Sequence, residues 1–310
     1  MIVIKHYKIR KIFFKYIVIL FFIFLIIKIT LFLKIIKSKV CLCTIGKNEN
    51  LYVKEFVEHY KSYGIDKIFI YDNNDIEGEI FDNVIPEYIK NHFVEIINYR
   101  GKNKAQLVAM NDCYKNNYKN YNWLLFYDMD EFIFLKNFKN IKLFLNKKRL
   151  NNCQIIQLNW VQHTDNNLLY YDNRSLSQRF IERGKKIEGL IDIKSIIRGN
   201  ISTNIIDAHY INPNLKCCDG YGKKKIIINK MFDLFPDYNN YFIDHYYSKS
   251  TQEFINKINR GSVAYGNEKR VQIINFYFKL NDITSQKIDY FEKEIKVNLS
   301  SFRNRSNINL

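Results

Sequence analysis

The sequence predicts an α/β protein: a mixed, mainly parallel sheet flanked by helices, with an N-terminal transmembrane helix ahead of it. Three observations carry that expectation. Four short apolar runs recur at intervals near the roughly 30 residues of a β-α unit. The segments between them carry helical periodicity. An apolar run close to bilayer length lies near the N-terminus. With 310 residues, 47% hydrophobic and 25% charged, the chain has enough apolar material for a buried core, which excludes a disordered or collagen-like protein. Only 3 Pro and 11 Gly leave no long flexible linker.

The N-terminal run is Tyr16 to Leu33, YIVILFFIFLIIKITLFL, broken only by Lys28 and Thr30. Lys28 is near one end, where a long side chain snorkels to the interface. The more basic flank precedes the run, at Lys5, Lys8, Arg10, Lys11 and Lys15, so the positive-inside rule places residues 1–15 in the cytoplasm as a basic tail. Residues 16–36 are then a signal anchor, and the protein is expected to be single-pass type II, in a Golgi or other secretory membrane if eukaryotic. The exit KIIKSKVCLC has no small-residue cleavage site, which argues against a signal peptide. Of the formal net charge of +17, nine positive charges fall in residues 1–39, which hold no acid, so the remainder carries only +8. Charge of that size fits an anionic membrane surface or a phosphorylated substrate as well as nucleic acid, and does not choose among them.

After the anchor, VCLCT (40–44), KIFIY (67–71), FVEII (93–97) and WLLFY (123–127) read as strands. Between the first two, Val53, Phe56, Val57 and Tyr60 share a helical face, and Gly64 is placed to end that helix. Between the last two, Lys104 to Tyr114 reads as a helix with Leu107, Val108 and Met110 on its apolar side. This alternation predicts a Rossmann-like sheet over about 40–130. CQIIQLNW (153–160) is a further strand, Thr251 to Arg260 a further helix ending at Gly261, and the last twenty residues read as a polar tail. Cys41 and Cys43 read as small buried hydrophobes on one strand face, Cys217 and Cys218 are adjacent and unsuited to bridging each other, and no zinc or redox spacing is present. Sequons at Asn173, Asn200, Asn298 and Asn304 weakly favour a lumenal domain.

Ligands of such sheets gather at the carboxyl ends of the strands. Each end here carries polar groups: Asn48 and Glu49 after the first, Asp72 and Asn73 after the second, Arg100 after the third, and Asp128, Asp130 and Glu131 after the fourth. If the fourth strand runs on through D-M-D, alternation puts Asp128 and Asp130 on one side. Paired hard oxygen ligands select Mg²⁺ or Mn²⁺, ions suited to a reaction with a diphosphate leaving group. DNND is also a favourable turn, so Asp72 has a turn reading beside its reading as a nucleotide contact.

The run TIGKNENLYVKEFVEHYKSYGIDKIFIYDNND, Gln106 with its following NDC, and WLLFYDMDEFIF resemble glycosyltransferases of the GT-A fold, specifically family 92 and related family 2-like proteins. QRF (178–180), KSIIR (194–198), His209 and IDHYYSKSTQEFINKINRG (243–261) continue the same order. The resemblance implies a GT-A domain over 40–265, with 266–310 as a C-terminal helical and polar extension. It implies transfer of a sugar from a nucleotide sugar, usually a UDP-sugar, to a hydroxyl of a glycan or glycoconjugate, with Mn²⁺ or Mg²⁺ and with inversion as the expected outcome. By motif, Asn48, Glu49 and Asp72 line the nucleotide pocket, with Asn73, Arg100, Gln106 and Asp128 alongside. Asp128 and Asp130 hold the metal, and His209 is the first choice for a third ligand, with His245 second. Asn74 stands where the family usually has Ser, which leaves the donor base and sugar open. An inverting transfer needs a carboxylate base, for which Asp165 is the first candidate and Glu182 and Asp207 are rivals. Nucleic acid is not an expected partner. The competing readings are a metal-dependent phosphodiesterase and an inactive membrane-tethered module that binds glycans or anions.

Overall fold

The computed structural model describes residues 2–184, 192–209, 211–225, 236–261, 270–296, 299 and 302. The chain forms two units, Met1–Lys39 and Val40–Leu310. The first is a single helix, α1 (Ile2–Ile36), which at 1.5 Å per residue is roughly 50 Å long. Its large side chains are exposed, among them Phe14, Leu20, Phe21 and Ile26. Among the described residues, no helix is long and apolar enough to cross a membrane.

The second unit is built on a nine-stranded sheet in the order β3-β2-β1-β4-β7-β6-β9-β5, with β8 (Cys217–Cys218) beside β6. Strands β1 (Val40–Gly46), β2 (Lys67–Asp72), β3 (Val94–Asn98) and β4 (Trp123–Phe126) are all parallel, as their spacing predicts. Alternation along β1 feeds two cores. Val40 and Leu42 pack under α2 (Asn50–Ser62), whose inward residues are Tyr52, Val53, Phe56, Val57 and Tyr60. Cys41, Cys43 and Ile45 face α4 (Gln106–Asn117) on the other side. Gly64 ends α2 at φ +79, a left-handed conformation that favours glycine. A short helix, α3 (Pro86–Lys90), precedes β3.

Two readings are corrected here. The inward face of α4 is Ala109, Met110, Cys113 and Tyr114, while Leu107 and Val108 are 39% and 60% exposed. Spaced by one and four residues, the inward set occupies a narrow stripe, and Val108 falls nearly opposite it. Cys43 is buried as expected but bridges Cys113, tying β1 to α4, and a second disulfide joins Cys153 to Cys218. Cys41 and Cys217 remain as buried thiols.

Beyond β4 the chain turns into β5 (Glu131–Leu135), passes α5 (Ile141–Leu145), and returns as β6 (Ile155–Gln162). After α6 (Leu176–Arg179), β7 (Ile193–Arg198) pairs antiparallel with both β4 and β6. β9 (Tyr241–His245) lies between β6 and β5 and is antiparallel to β5. Helix α7 (Thr251–Arg260) starts at a capping box made by Ser250 and Glu253. It packs through Phe254, Ile255 and Ile258 against α8 (Arg270–Leu280) and α9 (Ser285–Ile295). The stretch read as a polar tail therefore begins inside α9, where Phe291 is buried; the sequons at Asn298 and Asn304 lie outside the described residues. Asn173 and Asn200 are exposed.

Candidate active site

The polar strand ends do gather, but in two groups of different kinds. At the ends of β2 and β3 the groups bind one another. Asp72, 4% exposed, accepts from Arg100 Nη1 at 2.7 Å and from the backbone N–H of Asn74 at 2.9 Å. Arg100 also donates to the carbonyls of Asp75, Ile76, Gly78 and Glu79, so it pins the loop 75–79. Asn73 donates to the carbonyls of Tyr99 and Lys102. The turn reading of DNND thus describes Asp72, Asn73 and Arg100 as they stand: loop-ordering residues with their polar atoms engaged.

The second group surrounds the turn between β4 and β5. β4 stops at Phe126, and Asp128 to Asp130 form a turn rather than a strand continuation. Met129 packs against the end of β1, where a β-carbon at Gly46 would stand 2.7 Å from Met129 Cε. The turn separates the two aspartates. Asp128 accepts from Gln106 Nε2 at 2.9 Å and from Lys194 Nζ at 2.7 Å. Asp130 accepts from Lys257 Nζ at 2.7 Å and faces His245 Nε2 at 3.5 Å. Because the chain re-enters the sheet at once, Glu131 becomes the first residue of β5, directly opposite His245 at the end of β9.

That register creates a donor set. One ligand atom each from Asp130, Glu131 and His245 lies within 4.8 Å of the others, and all three residues are buried. Lys194 Nζ is 3.2 Å from Glu131 Oε1, yet the geometry is not that of a hydrogen bond, and both Glu131 Oε1 and His245 Nδ1 are buried without a hydrogen-bond partner. Two carboxylates and an imidazole with unsatisfied atoms fit a divalent ion such as Mn²⁺. Burial lowers the His245 pKa despite the field of Asp130, which keeps the imidazole in its neutral, ligating form. Burial drives Glu131 well above the usual carboxylate range against the pull of Lys194, with Asp128 and Asp130 adding to the rise. For Asp130, burial is outweighed by Lys257 and His245, which hold it well below that range.

The ligand set expected from sequence was Asp128, Asp130 and His209. Asp130 is common to that expected set and to the cluster of Asp130, Glu131 and His245. Asp128 serves Gln106 and Lys194, and His209 Nδ1 is 3.2 Å from the carbonyl of Ile193. Trp160 touches both histidines, with ring centroids 4.0 Å from His245 and 5.2 Å from His209. Around the donor set, Glu49 accepts from Lys249 at 3.0 Å and from Arg260 Nη2 at 2.6 Å, and Arg260 Nη1 reaches the carbonyl of Asn48. A small open cleft lies beside Asp128, bordered by Tyr71, Gln106, Met110 and Lys194 among others.

The expected bases are placed differently. Asp165 is 1% exposed and closed off: Lys287 Nζ, Tyr277 Oη and the backbone N–H of Asn167 fill both carboxylate oxygens. No lone pair is left to take an acceptor proton, so this geometry does not provide the base that sequence placed there. Glu182 is exposed on the loop that bridges to His163. Asp207 accepts from the backbone N–H of His209 at 2.7 Å, and its field reaches Asp192. Sequence reasoning missed Asp192. Burial pushes its carboxyl up to about 7 against the pull of Lys194, with Asp207 adding to the rise.

A mainly parallel sheet whose strand ends collect carboxylates, lysines and a neutral histidine is the framework of a phosphate- or nucleotide-handling α/β protein. The family follows from the sequence match: residues 37–232 fit the model of glycosyltransferase family 92, and the chain belongs to that family. A glycosyltransferase family 92 protein of Ricinus communis is 32% identical over 104 residues, 34% of this chain and 18% of that protein. The chain thus aligns with under a fifth of that relative's length. Among solved structures, S. aureus TarS 1-349 is 12% identical over 85% of this chain and 76% of that one, with a TM-score of 0.37. The mannosyltransferase PcManGT from Pyrobaculum calidifontis, in complex with GDP-Man and Mn²⁺, is 8% identical over 40% of this chain and 36% of that one, with a TM-score of 0.31. At these TM-scores neither likeness carries a functional inference.

Proposed function

We propose that this chain is a membrane-anchored glycosyltransferase of the GT-A type that moves a sugar from a nucleotide sugar, a UDP-sugar in first place, to a glycan hydroxyl with the help of a divalent cation. The observation that carries the proposal is the Asp130, Glu131 and His245 donor set at the carboxyl ends of the sheet. Asp130 and Glu131 fall inside the family 92 match, and His245 lies just beyond it. A divalent cation held by these residues would supply charge neutralisation for a departing diphosphate. Asp128 stays ionised because Lys194 outweighs the burial that would raise its pKa. It is the most open of the three acids in the turn, with 32% of its side chain exposed, and it borders the cleft. The proposed acceptor of the proton is Asp192, whose carboxyl burial pushes up to about 7.

Supporting the anchor is the apolar run Tyr16–Leu33 on one continuous helix, on which Leu20, Phe21 and Ile26 are exposed. Two disulfides fit a domain held in an oxidising compartment, on the far side of the membrane from the basic tail. The test is calorimetric titration of the full-length protein in detergent with UDP and GDP, with and without Mn²⁺. UDP binding that requires Mn²⁺, and that Asp130→Ala abolishes, is the expected result. Absence of nucleotide binding in the folded protein would overturn the proposal.

A further inference from the structure

Lys257 differs from the other cations of the site. Lys194 and Lys249 are nearly sealed, with side chains 2% and 5% exposed. Lys194 is held by Asp128 with Glu131 close by, and Lys249 by Glu49 over the ring of Tyr52. Arg260 is fixed on Glu49 and on the carbonyl of Asn48. Lys257 is 23% exposed, and Asp130 is its one carboxylate partner among the described residues. Its other neighbours are the carbonyl of Tyr247 at 3.4 Å and the Tyr247 ring at 4.3 Å. Its amine donates to Oδ2 of Asp130, a residue of the candidate donor set, whose other oxygen, Oδ1, faces His245.

We infer that Lys257 is an exchangeable counter-ion. It occupies Asp130 until a divalent cation and a nucleoside diphosphate arrive together, then turns from the carboxylate to a phosphate oxygen. The inference rests on the glycosyltransferase reading of the same site. A cation that takes Asp130 sets the Lys257 charge adrift in a half-buried place, because Glu49 is already filled by Lys249 and Arg260. A buried charge without a partner is costly. A diphosphate supplies the missing anion, so metal and nucleotide favour each other's binding, and by linkage the effect is reciprocal. The α7 backbone, anchored by Phe254, Ile255 and Ile258, need not move; the four-carbon stem of Lys257 makes the change.

The experiment measures Mn²⁺ binding to the full chain in detergent, by calorimetry and by loss of the free Mn²⁺ electron paramagnetic resonance signal, without and with saturating UDP. Wild type is expected to bind Mn²⁺ about tenfold or more tightly when UDP is present, within the usual range of coupling between sites. In Lys257→Met the competitor is gone, so Mn²⁺ alone binds more tightly than to wild type, and the UDP enhancement falls below about threefold. Lys257→Arg keeps the charge and retains the enhancement. Lys257→Gln replaces the Met variant if circular dichroism shows that the latter is unfolded. A Met or Gln variant that binds Mn²⁺ no more tightly than wild type, or that keeps the full enhancement, overturns the inference while leaving the metal site intact. Wild-type protein that binds no Mn²⁺ in either condition overturns the parent reading as well.

Discussion

Asp130 and Asp165 are both buried aspartates paired with a lysine, and they do opposite things. Around Asp165 every atom is closed: Lys287 is 1% exposed, Tyr277 and the backbone of Asn167 complete the shell, and the whole links the loop after β6 to α8 and α9. Around Asp130 the shell is incomplete. Its lysine is partly open, its histidine is 3.5 Å away with a bare Nδ1, and the adjacent Glu131 has an unsatisfied oxygen. A buried carboxylate alone therefore says little about function; what separates a clamp from a site is whether the partners are complete.

Removing each aspartate is the sharpest way to separate the two. Asp130→Ala should lower Mn²⁺ affinity at least about a hundredfold and cost less stability than Asp165→Ala, because the Lys257 it strands is 23% exposed and reaches water. Asp165→Ala should spare Mn²⁺ affinity but destabilise the fold by about 3–5 kcal/mol, since it strands a buried Lys287. At roughly 2–4 °C per kcal/mol for a domain of this size, calorimetric melting would show a drop on the order of 10 °C.

The next effect is in pH. Asp192 titrates near 7 in the folded state against an ordinary value of 3.8, so the native protein holds a proton that the unfolded chain releases between those values. Its contribution to stability therefore falls as pH rises from about 4 to about 7. Asp192→Asn should melt higher than wild type at pH 8 and about equally at pH 4. If Asp192 is the base, transfer in wild type rises through pH 7 and the variant loses that limb. The smallest effect belongs to the capping box of α7. Ser250→Ala should cost about 1 kcal/mol in denaturant unfolding.

Much of this was legible in the sequence. The parallel strands β1 to β4, the apolar face of α2 and the full extent of α7 follow from period and capping signals that act over a few residues. Asp130 is a candidate ligand through D-M-D, and His245 a second choice through the family resemblance. Glu131 was missed because the strand was read as continuing through Asp130, which makes Asp128 its partner. The chain instead breaks at Asp128 to Asp130, and the pairing that raises Glu131 to a donor is made with β9, more than a hundred residues later. Lys194, which pairs with Asp128, comes from β7, likewise far along the chain. The partners of Cys43 and Cys153 are 70 and 65 residues away, and no local pattern marks them.

The central claim is the identity of the donor set, and the two histidines test it most directly. Mn²⁺ binding followed by electron paramagnetic resonance, in the presence of UDP, compares His245→Gln with His209→Gln. Loss of bound Mn²⁺ in His245→Gln, with binding retained in His209→Gln, is the outcome that the Asp130, Glu131 and His245 arrangement requires. Retention in His245→Gln with loss in His209→Gln would contradict it and restore Asp128, Asp130 and His209 as the site.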